Sequence, residues 1–264
     1  MNPLRLLAWP RAGRRSLKVA QRNMDVFLLS WATDFLPPLL EPALYLGVLG
    51  FGLGLYIQQV EGLPYAVWFG PALLASTGMF ASFFECAFGS FVRMYYQKTY
   101  DAITATPVSL DDVIVGELLW GAGKAFVNAI VVLLVLTAFQ VPRSPLIALA
   151  PFVVFLAAFS FAAIGILTTS LAPNFDAFNF PLYLYVTPMF FLSGTFVPLS
   201  TLDRFPILRF VSETLPLTHA VAVCRSLSLG VLGPTELLRI AWLIAVGLVL
   251  GIMSVNSMRR RLIP

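Results

Sequence analysis

Between Ala125 and Arg143 the chain contains no charged residue, and residues 127–139 are apolar at almost every position. An amphipathic helix shows a polar stripe every three to four residues, and a barrel strand alternates; this block does neither. Such a run is stable where all of it leaves water, and about 20 residues of this kind cross the hydrocarbon core as one helix. Comparable blocks occupy residues 31–57, 65–88, 113–139, 146–171, 178–197 and 237–255 of the 264. Composition agrees, with 59% hydrophobic and only 11% charged residues, where soluble domains carry about 25% charged; mean hydropathy is +0.86. The expected fold is all-α, a polytopic membrane protein with six transmembrane helices in one domain over 31–264 and no sizeable soluble domain.

Residues 1–30 read as a cytoplasmic lead-in. Arg5, Arg11, Arg14, Arg15, Lys18 and Arg22 alternate with Leu6, Leu7, Trp9, Leu17, Val19, Met24, Val26 and Phe27. That mixture suits an amphipathic helix at an anionic membrane surface, with a disordered basic tail as the alternative. No cleavable signal peptide is expected. In the first span Pro37, Pro38 and Pro42 interrupt the start, so regular helix is expected only from near Pro42. Gly50 and Gly54 have the spacing that permits close helix approach. Residues 198–236 are too long for a turn, none of their semi-apolar segments is long enough to span, and they read as short re-entrant or interfacial helices on the outer face. Eleven basic residues (Arg5 to Arg22, Arg93, Lys98 and Arg259 to Arg261) fall on the side of both termini, against five (Arg143, Arg204, Arg209, Arg225 and Arg239) on the other. The positive-inside rule then makes both termini cytoplasmic. The net charge of +4 is membrane-flanking and implies no nucleic-acid partner. Cys86 and Cys224 are expected on opposite sides and unpaired.

The longest polar interruption, residues 92–112, lies between the second and third spans. It reads as a cytoplasmic helical elbow on which another protein pushes, ending in Asp111 and Asp112 at a helix start, where acids are favoured. No enzyme site emerges. His219 is the single histidine, and no His/Cys/carboxylate cluster has metal-ligand spacing. Gly123-Lys124 imitates a phosphate-binding loop, but Leu118 and Ala125 stand where glycine and a hydroxyl are required. Of the charges inside apolar blocks, Glu117 and Lys124 are two helical turns apart, about 10 Å, and cannot neutralise each other directly. Snorkelling, a wet path or pairing with another helix all remain open. Glu41, at the proline break, is either a helix-start residue or a functional acid. With Glu117, Lys124 and His219 it forms the set of candidate pathway or gating residues.

Four segments in this order resemble type-2 ABC exporter permeases: the basic lead-in with a Gly-rich first span; Phe84-Glu85 with Phe88-Gly89; the stretch from Ala105 to Val113 with Gly116-Glu117; and Phe191 to Leu199 followed by Leu215 to Ala220. The chain resembles above all the branch that includes the nodulation lipo-oligosaccharide exporter permease. The resemblance implies six spans, a homodimer in the bacterial inner membrane in contact with lipid, and two copies of a separate cytoplasmic ABC ATPase. That partner would bind ATP, so the chain would be no enzyme and carry neither cofactor nor metal. It implies that the elbow, with Val92, Arg93, Thr106, Pro107, Leu110, Asp111 and Asp112, couples to the ATPase, and that the substrate is an amphipathic lipo-oligosaccharide, polysaccharide, glycolipid or hydrophobic drug. The rival readings are a self-sufficient secondary transporter or channel, which would need an intramembrane charge path, and a membrane enzyme acting on lipid-linked sugars.

Overall fold

A computed structural model describes residues 9–57 and 59–262, with the side chains of 31–35 left aside; Arg5 lies outside the described residues. Helix α1 (Arg15–Leu29) buries Ser16, Val19, Asn23 and Phe27. These recur at helical spacing and form one stripe, which packs on the third long helix. Helix α2 (Trp31–Tyr45) corrects the expected start near Pro42: the helix begins at Trp31 and holds all three prolines inside it. It continues into a wide π-turn at Leu46–Gly52. Proline removes one backbone donor, and such local widening re-satisfies the freed groups in membrane helices.

A tight turn at Glu61 and Gly62, both with positive φ, joins two-residue strands β1 (Gln59–Val60) and β2 (Leu63–Pro64). Helix α3 (Tyr65–Phe84) does not stop at the expected Phe88. Wide turns at Glu85–Gly89 and Val92–Tyr96 prolong it, giving a continuous apolar helix Tyr65–Tyr96. It ends where Lys98 turns left-handed at φ 54°. The elbow between helices is therefore residues 97–109, containing α4 (Thr99–Thr104). Helix α5 (Leu110–Ala138) opens with a capping box, in which the Ser109 hydroxyl accepts from the Asp112 N–H and the Asp112 carboxylate accepts from the Ser109 N–H. Two orphan donors of the helix start are thereby satisfied.

Helix α6 (Ala150–Leu171) is central and is flanked by α3, α5 and the last helix. The expected fifth span shortens to residues 179–192, made of α7 (Asn179–Pro181), a wide turn and α8 (Thr187–Leu192). Gly194, at φ 72°, turns the chain away. Helices α9 (Pro206–Thr214) and α10 (Pro216–Leu229) meet at a 76° bend. Both start on a proline, whose missing N–H is no loss in a first turn. Helix α11 (Pro234–Leu262) completes the fold. Among the described residues five helices are long and apolar enough to cross a membrane, or six if the bent pair counts as one. The chain is an all-α, polytopic membrane protein.

Gly50 and Gly54 both face the start of α3, at side-chain rather than backbone distance. A Cβ at Gly50 would lie 3.5 Å from Ala66 Cβ of α3 and 2.9 Å from the Leu46 side chain of its own helix, and one at Gly54 would lie 4.0 Å from Tyr65 Cβ. At Gly165 on α6, by contrast, a Cβ would lie 2.8 Å from the Phe83 carbonyl oxygen and 2.9 Å from the Ala87 nitrogen. At Gly116 on α5 it would lie 2.7 Å from the Ser16 carbonyl oxygen. Side chains at these two positions would hold whole backbones apart.

Candidate functional site: a charge network behind the elbow

The wide turns at the end of α3 bring Glu85, Ser90 and Arg93 against α5. Arg93 donates from Nη1 to Glu85 Oε1 at 2.8 Å and from Nη2 to Glu117 Oε2 at 2.5 Å. Lys124 Nζ donates to Glu85 Oε2 at 2.8 Å. Glu117, only 1% exposed, also accepts from Ser90 Oγ at 2.7 Å and from Asn23 Nδ2 of α1 at 3.0 Å. Glu117 and Lys124 are thus linked through another helix. Two carboxylates and two cations neutralise one another, which is what makes burial of any of them tolerable. Tyr100 of α4 is buried beside them, and its hydroxyl has no hydrogen-bond partner among the described residues. Burial first, and the nearby Glu117 carboxylate second, push its phenol well above the ordinary value, so it stays neutral.

Asp111 and Asp112 lie six and five residues before Glu117 on α5, each 4% exposed. Asp111 accepts from the Arg259 guanidinium and, at 2.6 Å, from the Arg11 N–H. Asp112 accepts from the Gly13 N–H at 2.6 Å. These partners lie 99 to 148 residues away, so the pair ties both ends of the chain to the base of the elbow. Arg261 donates to the carbonyls of Thr169 and, at 2.7 Å, Ala172. The rings of Phe88, Phe91 and Tyr96 pack against those of Phe175 and Phe178, edge-on, tilted or stacked, with centroids 4.8–5.5 Å apart. The lead-in, elbow, 172–178 turn and C-terminal end of α11 therefore share one end of the bundle. Asp111→Asn should loosen this clamp: amide exchange at residues 9–13 should quicken and trypsin should cut faster after Arg11, Arg14 and Arg15.

Of the residues singled out from sequence, Thr106 and Pro107 are exposed, while Val92 and Leu110 are half-buried. Arg93, Asp111 and Asp112 face inward. The exposed surface at the end of α3 and along the elbow is Tyr95, Tyr96, Gln97, Lys98, Asp101, Ala102, residues 104–107 and Ser109; the two tyrosines could have been found as the aromatic pair beside the break. Glu41 is exposed on α2, without a hydrogen bond or ion pair among the described residues. It borders a groove of about 300 Å³ lined by Tyr45, Phe80, Phe84 and Asn128. His219 Nε2 lies 2.8 Å from the Glu213 carbonyl oxygen and its ring packs near Trp242, a structural setting far from the network. Cys86 and Cys224 are buried free thiols.

Residues 14–229, which include the lead-in helix, network, elbow and bent pair, match the family described as ABC-2 type transporter. The chain belongs to the ABC-2 transporter family. This ABC-2 permease is 32% identical over 264 residues to "Nodulation protein J" of Rhizobium meliloti strain 1021, covering 100% of both chains. It is 32% identical over 247 residues to the protein of the same name in Sinorhizobium fredii strain NGR234, covering 94% of each. "Inner membrane transport permease YadH" of Escherichia coli K12 is 25% identical over 213 residues, 80% of this chain and 81% of that one. No solved structure matches. The permease is a multi-pass transport subunit rather than a catalytic enzyme, and its family normally works with an ATPase subunit.

Proposed function

We propose that this permease is the membrane half of an ATP-driven exporter in the bacterial inner membrane. Two copies pair, both termini face the cytoplasm, and each elbow seats in a cytoplasmic ABC ATPase that binds the ATP. Closure of the two ATPases then biases two states of the permease pair and moves an amphipathic lipo-oligosaccharide, or a glycolipid or polysaccharide of that kind, outward. The observation that carries this reading is the elbow. With the end of α3 it exposes two tyrosines and a lysine, while buried ion pairs and hydrogen bonds fix its base to α1, α5 and α11. A push on the exposed face is thereby transmitted to three helices as rigid bodies. Arg93, Asp111 and Asp112 act as the fixed base; Thr106, Pro107, Tyr95, Tyr96 and Lys98 offer the contact face. The similarity to nodulation proteins supports the substrate class.

The charge path that a self-sufficient transporter would use is not favoured, because Glu85, Glu117, Arg93 and Lys124 are committed to one another. The tagged permease, withdrawn from its native membranes in mild detergent, should bring down a stoichiometric protein with a phosphate-binding loop and ATPase activity. Lys98→Glu, on the exposed face, should weaken that association by about tenfold or more, the effect of roughly 1.4 kcal/mol, with the permease's own melting unchanged. Recovery of the permease alone, inactive towards ATP, would point to the solo transporter.

A further inference from the structure

A cavity of about 340 Å³ opens between α1, the end of α3 and α5, beside the network. Arg22, Arg93 and Lys124 line it, with Glu85 as its single acid. Arg93 is held by two carboxylates. Lys124 gives one of its three hydrogens to Glu85, which leaves two for a ligand. Arg22 donates from Nη1 to Asn23 Oδ1 at 3.0 Å and has no carboxylate partner among the described residues. The network proper is neutral, so Arg22 leaves the site with one positive charge in excess. Phe27, Phe88 and Trp120 form apolar walls around these donors.

The position of the cavity on α1 matters as much as its charge. Arg15, Lys18 and Arg22 recur at helical spacing on one flank, and the exposed Leu17, Met24 and Leu28 recur on another. A helix with a buried stripe, an exposed apolar stripe and a basic stripe lies in the plane of the lipid headgroups. The cavity opens on the Arg22 flank, at that level.

We infer that the cavity binds the phosphate of an anionic phospholipid. Arg22 and Lys124 hold the phosphodiester, whose single negative charge closes the local balance, and the aromatic walls take the glycerol and first acyl carbons. Phosphate is chemistry shared with soluble esters; the aromatic walls and the headgroup-level opening assign it to lipid. The site needs no ATPase and is tested on the permease alone.

The experiment is thermal unfolding of delipidated, full-length permease in non-ionic detergent. It is run with phosphatidylglycerol, with phosphatidylcholine of the same acyl chains, and with glycerol 3-phosphate or inorganic phosphate. At saturation phosphatidylglycerol should raise the midpoint by about 5–10 °C, as ligand linkage gives for a chain of this size, and phosphatidylcholine should not. Arg22→Gln, an exposed change, and Lys124→Gln should each remove at least half of the shift. An equal shift with phosphatidylcholine, or a full shift retained in Arg22→Gln, overturns the site. A full shift with the soluble phosphates, to which lipid adds nothing, overturns its assignment to a lipid.

Discussion

Glu117→Leu should destabilise the permease by about 3–5 kcal/mol, the range for breaking a buried ion pair from one side. Three groups lose an acceptor together, Arg93, Ser90 and Asn23, which bond Glu117 directly, and Lys124 must then share Glu85 with an under-compensated guanidinium. The sum of the four charges moves from zero to plus one in a largely buried site, where Arg93 and Glu85 are only 15% and 10% exposed. Arg93→Met in the same background should restore much of the loss, because the remaining Glu85–Lys124 pair at 2.8 Å is again neutral. A double-mutant cycle on melting in detergent reads this directly. If the double variant were as unstable as the two single losses added together, the pair would be acting independently and the network reading would be wrong.

The second large effect is expected at Gly165. Overpacking of a well-filled core usually costs about 1–3 kcal/mol, and relief comes from side chains that rotate away. Here the obstacles are backbone atoms of Phe83, Cys86 and Ala87 within 3.0 Å of the new Cβ, and they have no rotamers to offer. Gly165→Ala should lie at or beyond the top of that range, and Gly165→Val should leave little monodisperse protein on size exclusion. Gly123→Ala is the matched control. Nothing lies within 4 Å of its Cβ, and a helix gains up to about 1 kcal/mol on exchanging glycine for alanine. Equal behaviour of the two alanine variants would show that α3 and α6 are not in close contact.

Much of this architecture was legible in the sequence. Long apolar blocks announce helices wherever they occur, and Ser109 with Asp112 announces a helix start. What stayed hidden depended on geometry that no local pattern encodes. The helix from Tyr65 runs eight residues past Phe88 because wide turns absorb the polar Glu85–Arg93 stretch, and that stretch turns inward to meet Glu117. Read alone, its charges look like the edge of a loop. The three prolines of α2 look like a break for the same reason: tolerance of them depends on neighbouring turns. The Gly50/Gly54 spacing marks a face that meets Ala66 and Tyr65 of α3 without saying which helix that would be, whereas the tighter backbone approaches at Gly165 and Gly116 stand in no such motif. Asp111 and Asp112 could be read as a helix start, but their partners Arg259, Arg11 and Gly13 are remote in sequence.

The neutrality of the buried network has a consequence for energetics across the membrane. Displacing one elementary charge through a potential of 100 mV involves about 2.3 kcal/mol of electrical work. Glu85, Arg93, Glu117 and Lys124 sum to zero, so when the end of α3 and α5 shift together, the membrane potential does no net work on them. The helices carrying these four groups can rock between states without voltage favouring either one. Loss of a single partner would turn the same motion into a gating charge.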